Sequence, residues 1–169
     1  YVTLDGFGEI VSTSIGNFNN NKFDKLKEVQ FPHSIGLFYS AITQFLGFDK
    51  YGDEYKIMGL SSYGSPSLKK KINEIIMYDK KNLFKLNLKF FKHHNDGIEM
   101  SWLEGEPKIS QIFSKELTNL LGNQRKTNEI ITDFHIDVAA SAQSVFEDIS
   151  IQIINDLYTI NPSNNLTLS

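Results

Sequence analysis

A long one-sided apolar stripe near the end of the chain constrains the fold more than any other feature. Between about His135 and Tyr158, Val138, Ala142, Val145, Phe146, Ile149, Ile153 and Leu157 recur at helical spacing. This predicts one long amphipathic helix whose apolar face another layer must cover. A second helix is predicted from Ser34, an N-cap residue type. Ile35, Phe38, Tyr39, Ile42, Phe45 and Leu46 form its apolar face, and Gly47 is its C′ glycine. Ser67 caps a third, with Leu68, Ile72, Ile75 and Ile76 on one face and Lys69, Lys70 and Lys71 on the other. Ile109 to Leu121 reads as a short helix ended by Gly122.

The covering layer reads as strands. Val2 to Leu4 is a short strand, Asp5-Gly6-Phe7-Gly8 is turn chemistry, and Glu9 to Ile15 resumes with β-branched residues. Gly16 to Asn21 reads as an Asn-rich loop, and Lys27 to Phe31 as a third strand stopped by Pro32. Leu83 to Phe91 alternates in strand fashion, His93 to Gly97 is a solvated turn, and Ile98 to Leu103 is the expected hairpin partner. Asp49 to Gly64 is a glycine-punctuated connection and Asn123 to Asn128 a polar loop. Pro162 to Asn165 turns into a last strand, Leu166 to Ser169. Hairpin, third strand, helix, inserted block, long helix and strand form the order of an α/β fold. It is that of a ribonuclease-H-like half of the actin-like ATPase and sugar-kinase class, with an insertion at about 49–134.

Composition narrows the chemistry. No apolar run reaches the roughly 18 residues that span a bilayer, so a membrane partner is not expected. The chain has no cysteine, which removes thiolate metal sites, disulfides and a cysteine nucleophile. A net charge of −3, from 17 Lys+Arg against 20 Asp+Glu, provides no general field for nucleic acid. Without a signal peptide the expected location is cytoplasmic. The chain opens at Tyr1 in a strand pattern and stops at Ser169 in another. It is therefore expected to be part of a module, truncated at both ends.

Three motifs could carry chemistry. Asp5-Gly6-Phe7-Gly8-Glu9 either closes a tight hairpin or sets a carboxylate and exposed backbone N–H groups before a cation and a phosphate. In Phe31 to Ser40, Pro32 leads into a helix N-terminus, which favours an anion. Gly36 in the first turn costs helix stability, on the order of 1 kcal/mol, unless a ligand or backbone approaches closely. In Glu54 to Gly64, Lys56 sits among apolar neighbours; it either neutralises phosphate or polarises a carbonyl, or it is a surface lysine. His93-His94 is not expected to chelate, because adjacent strand residues point to opposite faces.

Taken jointly, Phe31-Pro32-His33-Ser34-Ile35-Gly36-Leu37-Phe38-Tyr39-Ser40 and Glu54-Tyr55-Lys56-Ile57-Met58-Gly59-Leu60-Ser61-Ser62-Tyr63-Gly64 resemble the signature of NodU/CmcH-type O-carbamoyltransferases. Thr3-Leu4-Asp5-Gly6-Phe7-Gly8-Glu9 and Val138-Ala139-Ala140-Ser141-Ala142-Gln143 fit the same family. The resemblance implies a two-module enzyme. A YrdC-like module makes carbamoyl adenylate from carbamoyl phosphate and ATP, and an actin-like module moves the carbamoyl group to the hydroxyl of a small-molecule acceptor. It also implies a divalent metal, iron, held partly by Asp5. Gly6, Gly8, Ser34, Gly36 and Gly59 would lie against the adenylate, with Lys56 and Tyr39 as the catalytic candidates. The family's His-x-x-x-His would precede Tyr1 and its Gly-Gly loop would follow Ser169. The chain alone is therefore expected to be inactive. Ser61-Ser62 stands where Ala-Pro is more usual. A sugar kinase or ATPase and a non-catalytic binding module are the alternatives.

Overall fold

The computed structural model describes residues 1–6, 9–103 and 105–169, with only the backbone for Leu103 and Glu106. A three-stranded sheet is built from β1 (Val2–Leu4), β2 (Val11–Asn19) and β3 (Lys22–Gln30), in that order and antiparallel throughout. The expected loop at Gly16 to Asn21 is instead the end of β2 and a tight turn. Asn20 and Asn21 take positive φ, 50° and 60°, the geometry that matches the twist of a two-residue hairpin and that Asn tolerates. β3 consequently starts at Lys22. Gly16 does not break β2. A Cβ there would lie 2.2 Å from the Asp24 carbonyl oxygen and 2.9 Å from the Tyr1 ring, so the glycine permits close strand approach beside a register shift. The last residues return to β1 in parallel. Val2 N–H donates to Thr167 O at 2.9 Å and Leu4 N–H to Ser169 O at 2.8 Å.

Two helices cover this sheet. α1 (Ile35–Phe45) is buried along most of its length, and Gly47 follows it at φ 77°. A Cβ on Gly47 would stand 2.6 Å from Arg125 O. Arg125, inside the expected polar loop, is itself buried. It donates from Nε to Leu46 O at 2.6 Å and from Nη1 to Glu129 O at 2.6 Å, and its guanidinium lies 4.9 Å from the Phe48 ring centroid. A cation thus satisfies a carbonyl at the end of α1. The long helix, here called α6 (Asp133–Ile160), buries its expected stripe from Val138 to Leu157. It begins in a capping box between Thr132 and His135.

The block between them differs from expectation in several places. The Asp49 to Gly64 connection contains a helix, α2 (Glu54–Ser61). The third helix is α3 (Lys69–Ile75), but Ser67 does not cap it: Leu68 is the N-cap and Ser67 Oγ donates instead to Asp137 Oδ2 at 2.7 Å. Ile76 already begins a strand, β4 (Ile76–Asp79), paired with β5 (Leu83–Leu86). The expected strand to Phe91 therefore stops at Leu86. A short 3-10 turn, Leu88–Phe90, follows, and both Phe90 and Phe91 are buried. His93 opens a one-turn helix, α4 (His93–Asp96), and is buried rather than solvated; its Nε2 lies 2.8 Å from Pro32 O. β6 (Met100–Leu103) pairs with β7 (Glu106–Ile109), not with Leu83 to Phe91. The predicted Ile109 helix begins later, as α5 (Lys115–Leu121), where Ser114 Oγ accepts from Glu116 N–H. Phe38, Phe45, Phe84 and Phe113 fill a core shared by the sheet, the helices and the inserted block.

Candidate functional site

The end of β1 is locked onto the start of α1. Ser34 Oγ accepts from Leu37 N–H at 3.1 Å and donates to Asp5 O at 3.0 Å, so one hydroxyl caps the helix and holds the turn. Gly36 completes the seat. A Cβ there would lie 2.7 Å from Gly6 Cα, 3.0 Å from Gly6 N and 3.2 Å from Asp5 O. The close approach that its sequence context required is thus made by backbone. Both hydrogen-bonding functions of Ser34 are used within the chain, and its side chain is buried.

Beside this junction lies a cleft of about 550 Å³. Asp5 and Gly6 line one part; Tyr39 and Ser40 of α1, Tyr51 with Glu54, Tyr55 and Met58 of the α2 region, and Gln143 with Phe146 of α6 line the rest. Tyr39 Oη donates to Gln143 Oε1 at 2.6 Å, and Gln143 Nε2 donates to Glu147 Oε1 at 2.7 Å. Burial, and then the charges of Glu147 and Glu54, push the Tyr39 phenol up to about 12. It stays protonated at neutral pH and acts as a donor, not a base. Ser40 Oγ donates to Glu54 Oε1. A second cavity of about 580 Å³ lies between Asn17, Leu157 and Thr167, away from every expected site residue.

Of the expected residues, Asp5, Gly6, Gly36 and Tyr39 meet at this cleft. Ser34 braces it from beneath. Lys56 stands apart: its Nζ is 2.6 Å from Asp53 Oδ1, a buried carboxylate, and 5.6 Å from the Phe48 ring centroid. Gly59 is in α2 with nothing near its missing Cβ. Gly8 falls outside the described residues. Among the described residues no three His, Asp or Glu side chains are grouped to hold a metal ion, and Asp5 by itself does not make a metal centre. Glu54, Gln143 and the Tyr51–Tyr55 pair were not anticipated as site residues. The four-then-three spacing of Tyr51, Tyr55 and Met58 was the available signal.

Comparison with known proteins decides the family. A family model described as carbamoyltransferase N-terminus matches residues 1–169. The chain belongs to this carbamoyltransferase family. It is 33% identical over 168 residues to the uncharacterized protein sll1178 of Synechocystis, covering 98% of this chain and 25% of that protein. It is also 33% identical over 66 residues to the nodulation protein NolNO of Sinorhizobium fredii, covering 39% of this chain and 10% of that protein. The chain thus spans about a quarter or less of the length of these relatives. No described helix is long and apolar enough to cross a membrane.

Proposed function

We propose that the full-length protein transfers a carbamoyl group from carbamoyl adenylate, made from carbamoyl phosphate and ATP, to a hydroxyl of a sugar-like or natural-product acceptor. This chain would supply the transfer cleft, and a YrdC-like module elsewhere in the protein the adenylate. The family match along residues 1–169 carries this reading. The cleft at Asp5 and Gly6 supports it, because the carboxylate turn faces a space large enough for a small molecule. The strand order also supports a ribonuclease-H-like half of an actin-like fold. Three antiparallel strands are followed by helices and by a parallel return of residues 167–169 onto β1.

In this reading the acceptor oxygen attacks the carbamoyl carbon. A carbon–oxygen bond forms, the bond from that carbon to the phosphate oxygen breaks, AMP leaves, and the hydroxyl proton passes to a base or to solvent. Asp5 would offer one carboxylate to a divalent metal, which would supply Lewis-acid polarisation of the carbamoyl carbonyl. Tyr39 orients Gln143, and Gln143 presents its amide to the acceptor. Lys56 is held by Asp53 at the start of its own helix. Holding both reactants in place is the main contribution of such a cleft.

The test is the product of the full-length protein incubated with ATP, carbamoyl phosphate and a panel of hydroxylated acceptors. Mass spectrometry is expected to show a carbamate ester and AMP. A phosphate ester would identify a kinase instead, and no consumption of carbamoyl phosphate with any acceptor would overturn the reading.

A further inference from the structure

We infer that the cleft selects acceptors that carry a protonated amine beside the reacting hydroxyl, and that Glu54 is the residue that reads the amine. The inference rests on the carbamoyl-transfer reading and deepens it. Three observations converge on it. The cleft has aromatic walls: Tyr51 and Tyr55 are 55% and 64% exposed, and Phe146 faces the same space. Rings left this open on a cleft wall suit the stacking of a ring-shaped ligand and the approach of a cation. Among the described residues the lining also contains carboxylates, Asp5 and Glu54, but no lysine or arginine. Finally, Glu54 is partly buried where α2 meets α1, and its Oε1 accepts from Ser40 while no described group bonds Oε2. Glu54 and Glu147 both act on Tyr39 as negative charges.

Around Glu54 a phosphate would meet like charge and, among the described residues, no cationic lining side chain, so this end of the cleft does not suit the anionic part of the adenylate. A neutral polyol would gain ring stacking but leave Glu54 without a charge partner. An ammonium satisfies both features, since a carboxylate among apolar walls attracts a cation more strongly than one in open water. Gln143 adds an amide held in one orientation by Tyr39 and Glu147, suited to a ligand hydroxyl.

The experiment is calorimetric titration of the full-length protein with glucosamine, N-acetylglucosamine and adenosine, repeated on Glu54→Gln and on Tyr55→Leu. Unfolding midpoints verify that each variant is folded. Glucosamine is expected to bind about tenfold more tightly than the N-acetyl sugar. Glu54→Gln should erase that preference, and Tyr55→Leu should weaken both sugars together. Equal affinity for the two sugars, absence of binding by both, or a preference that survives in Glu54→Gln would overturn the inference. So would competition of adenosine with glucosamine, which would make this the nucleotide's place. These are binding readouts, so they remain decisive if carbamoyl transfer itself fails its own test.

Discussion

The cleft has a floor and a wall, and the two are held by different physics. The floor is α1. Most of its residues are buried, and its first turn touches the Asp5–Gly6 backbone so closely that Gly36 has no room for a methyl group. The wall is α2, where only Ile57 is buried among the helical residues and Tyr55 and Met58 face outward. Its other ties are the Ser40–Glu54 hydrogen bond to α1 and half-buried Leu60 against the core. A floor that is part of the core can place a carboxylate turn reproducibly. A wall with one buried anchor can change its exposed side chains at little cost to the fold. In the proposed reading, fixed chemistry and variable acceptor choice would therefore have separate homes in one small cleft.

Substitutions can break this contrast. Phe38→Ala, which empties a fully buried position in the floor, is expected to cost about 3–5 kcal/mol in urea unfolding. Gly36→Ala should cost roughly 1–3 kcal/mol and displace the Asp5–Gly6 turn. Transfer should then fall in protein that remains folded, and full transfer in a folded Gly36→Ala protein would separate the turn from the chemistry. Tyr39→Phe should cost about 1 kcal/mol by removing the bond to Gln143. The raised Tyr39 pKa has a sign that can be checked. The folded state favours the protonated phenol, so its contribution is complete below the unfolded value near 10. That contribution is lost as pH rises towards about 12. The stability difference between the protein and Tyr39→Phe should therefore shrink over that alkaline window. On the wall, Gly59→Ala meets open space and should stabilise the protein by up to about 1 kcal/mol, with transfer unchanged.

The floor was legible in the sequence and the wall was not. Ser34, Gly47 and the apolar spacing between them announce α1, because capping and periodicity are local signals. The α6 stripe is equally local. Gly52, Gly59 and Gly64 looked like loop punctuation, yet Gly59 is helical and Gly64 serves packing, its missing Cβ falling 2.6 Å from Ile136 O. Such a reason lies across the fold and leaves no mark nearby in the chain. The same holds for Gly16 against Asp24, and for β4, whose Ile76 continues the α3 apolar face but pairs with Leu86. At the site, Asp5, Gly6, Gly36 and Tyr39 could be chosen from their motifs. Lys56 had the right chemistry in the right segment, but Asp53 holds it elsewhere. Gln143 became visible only when α6 brought it to Tyr39, 104 residues away in sequence.

The most direct test of the central claim is an Asp5→Asn substitution in the full-length protein, with carbamoyl adenylate formation and acceptor carbamoylation measured side by side. The substitution keeps the shape of the turn and removes its charge. Adenylate formation should persist while carbamoylation falls by about 10²-fold or more, the scale seen when a group that stabilises developing charge is removed. Carbamoylation at the original rate would contradict the assignment of Asp5 and of the cleft it lines.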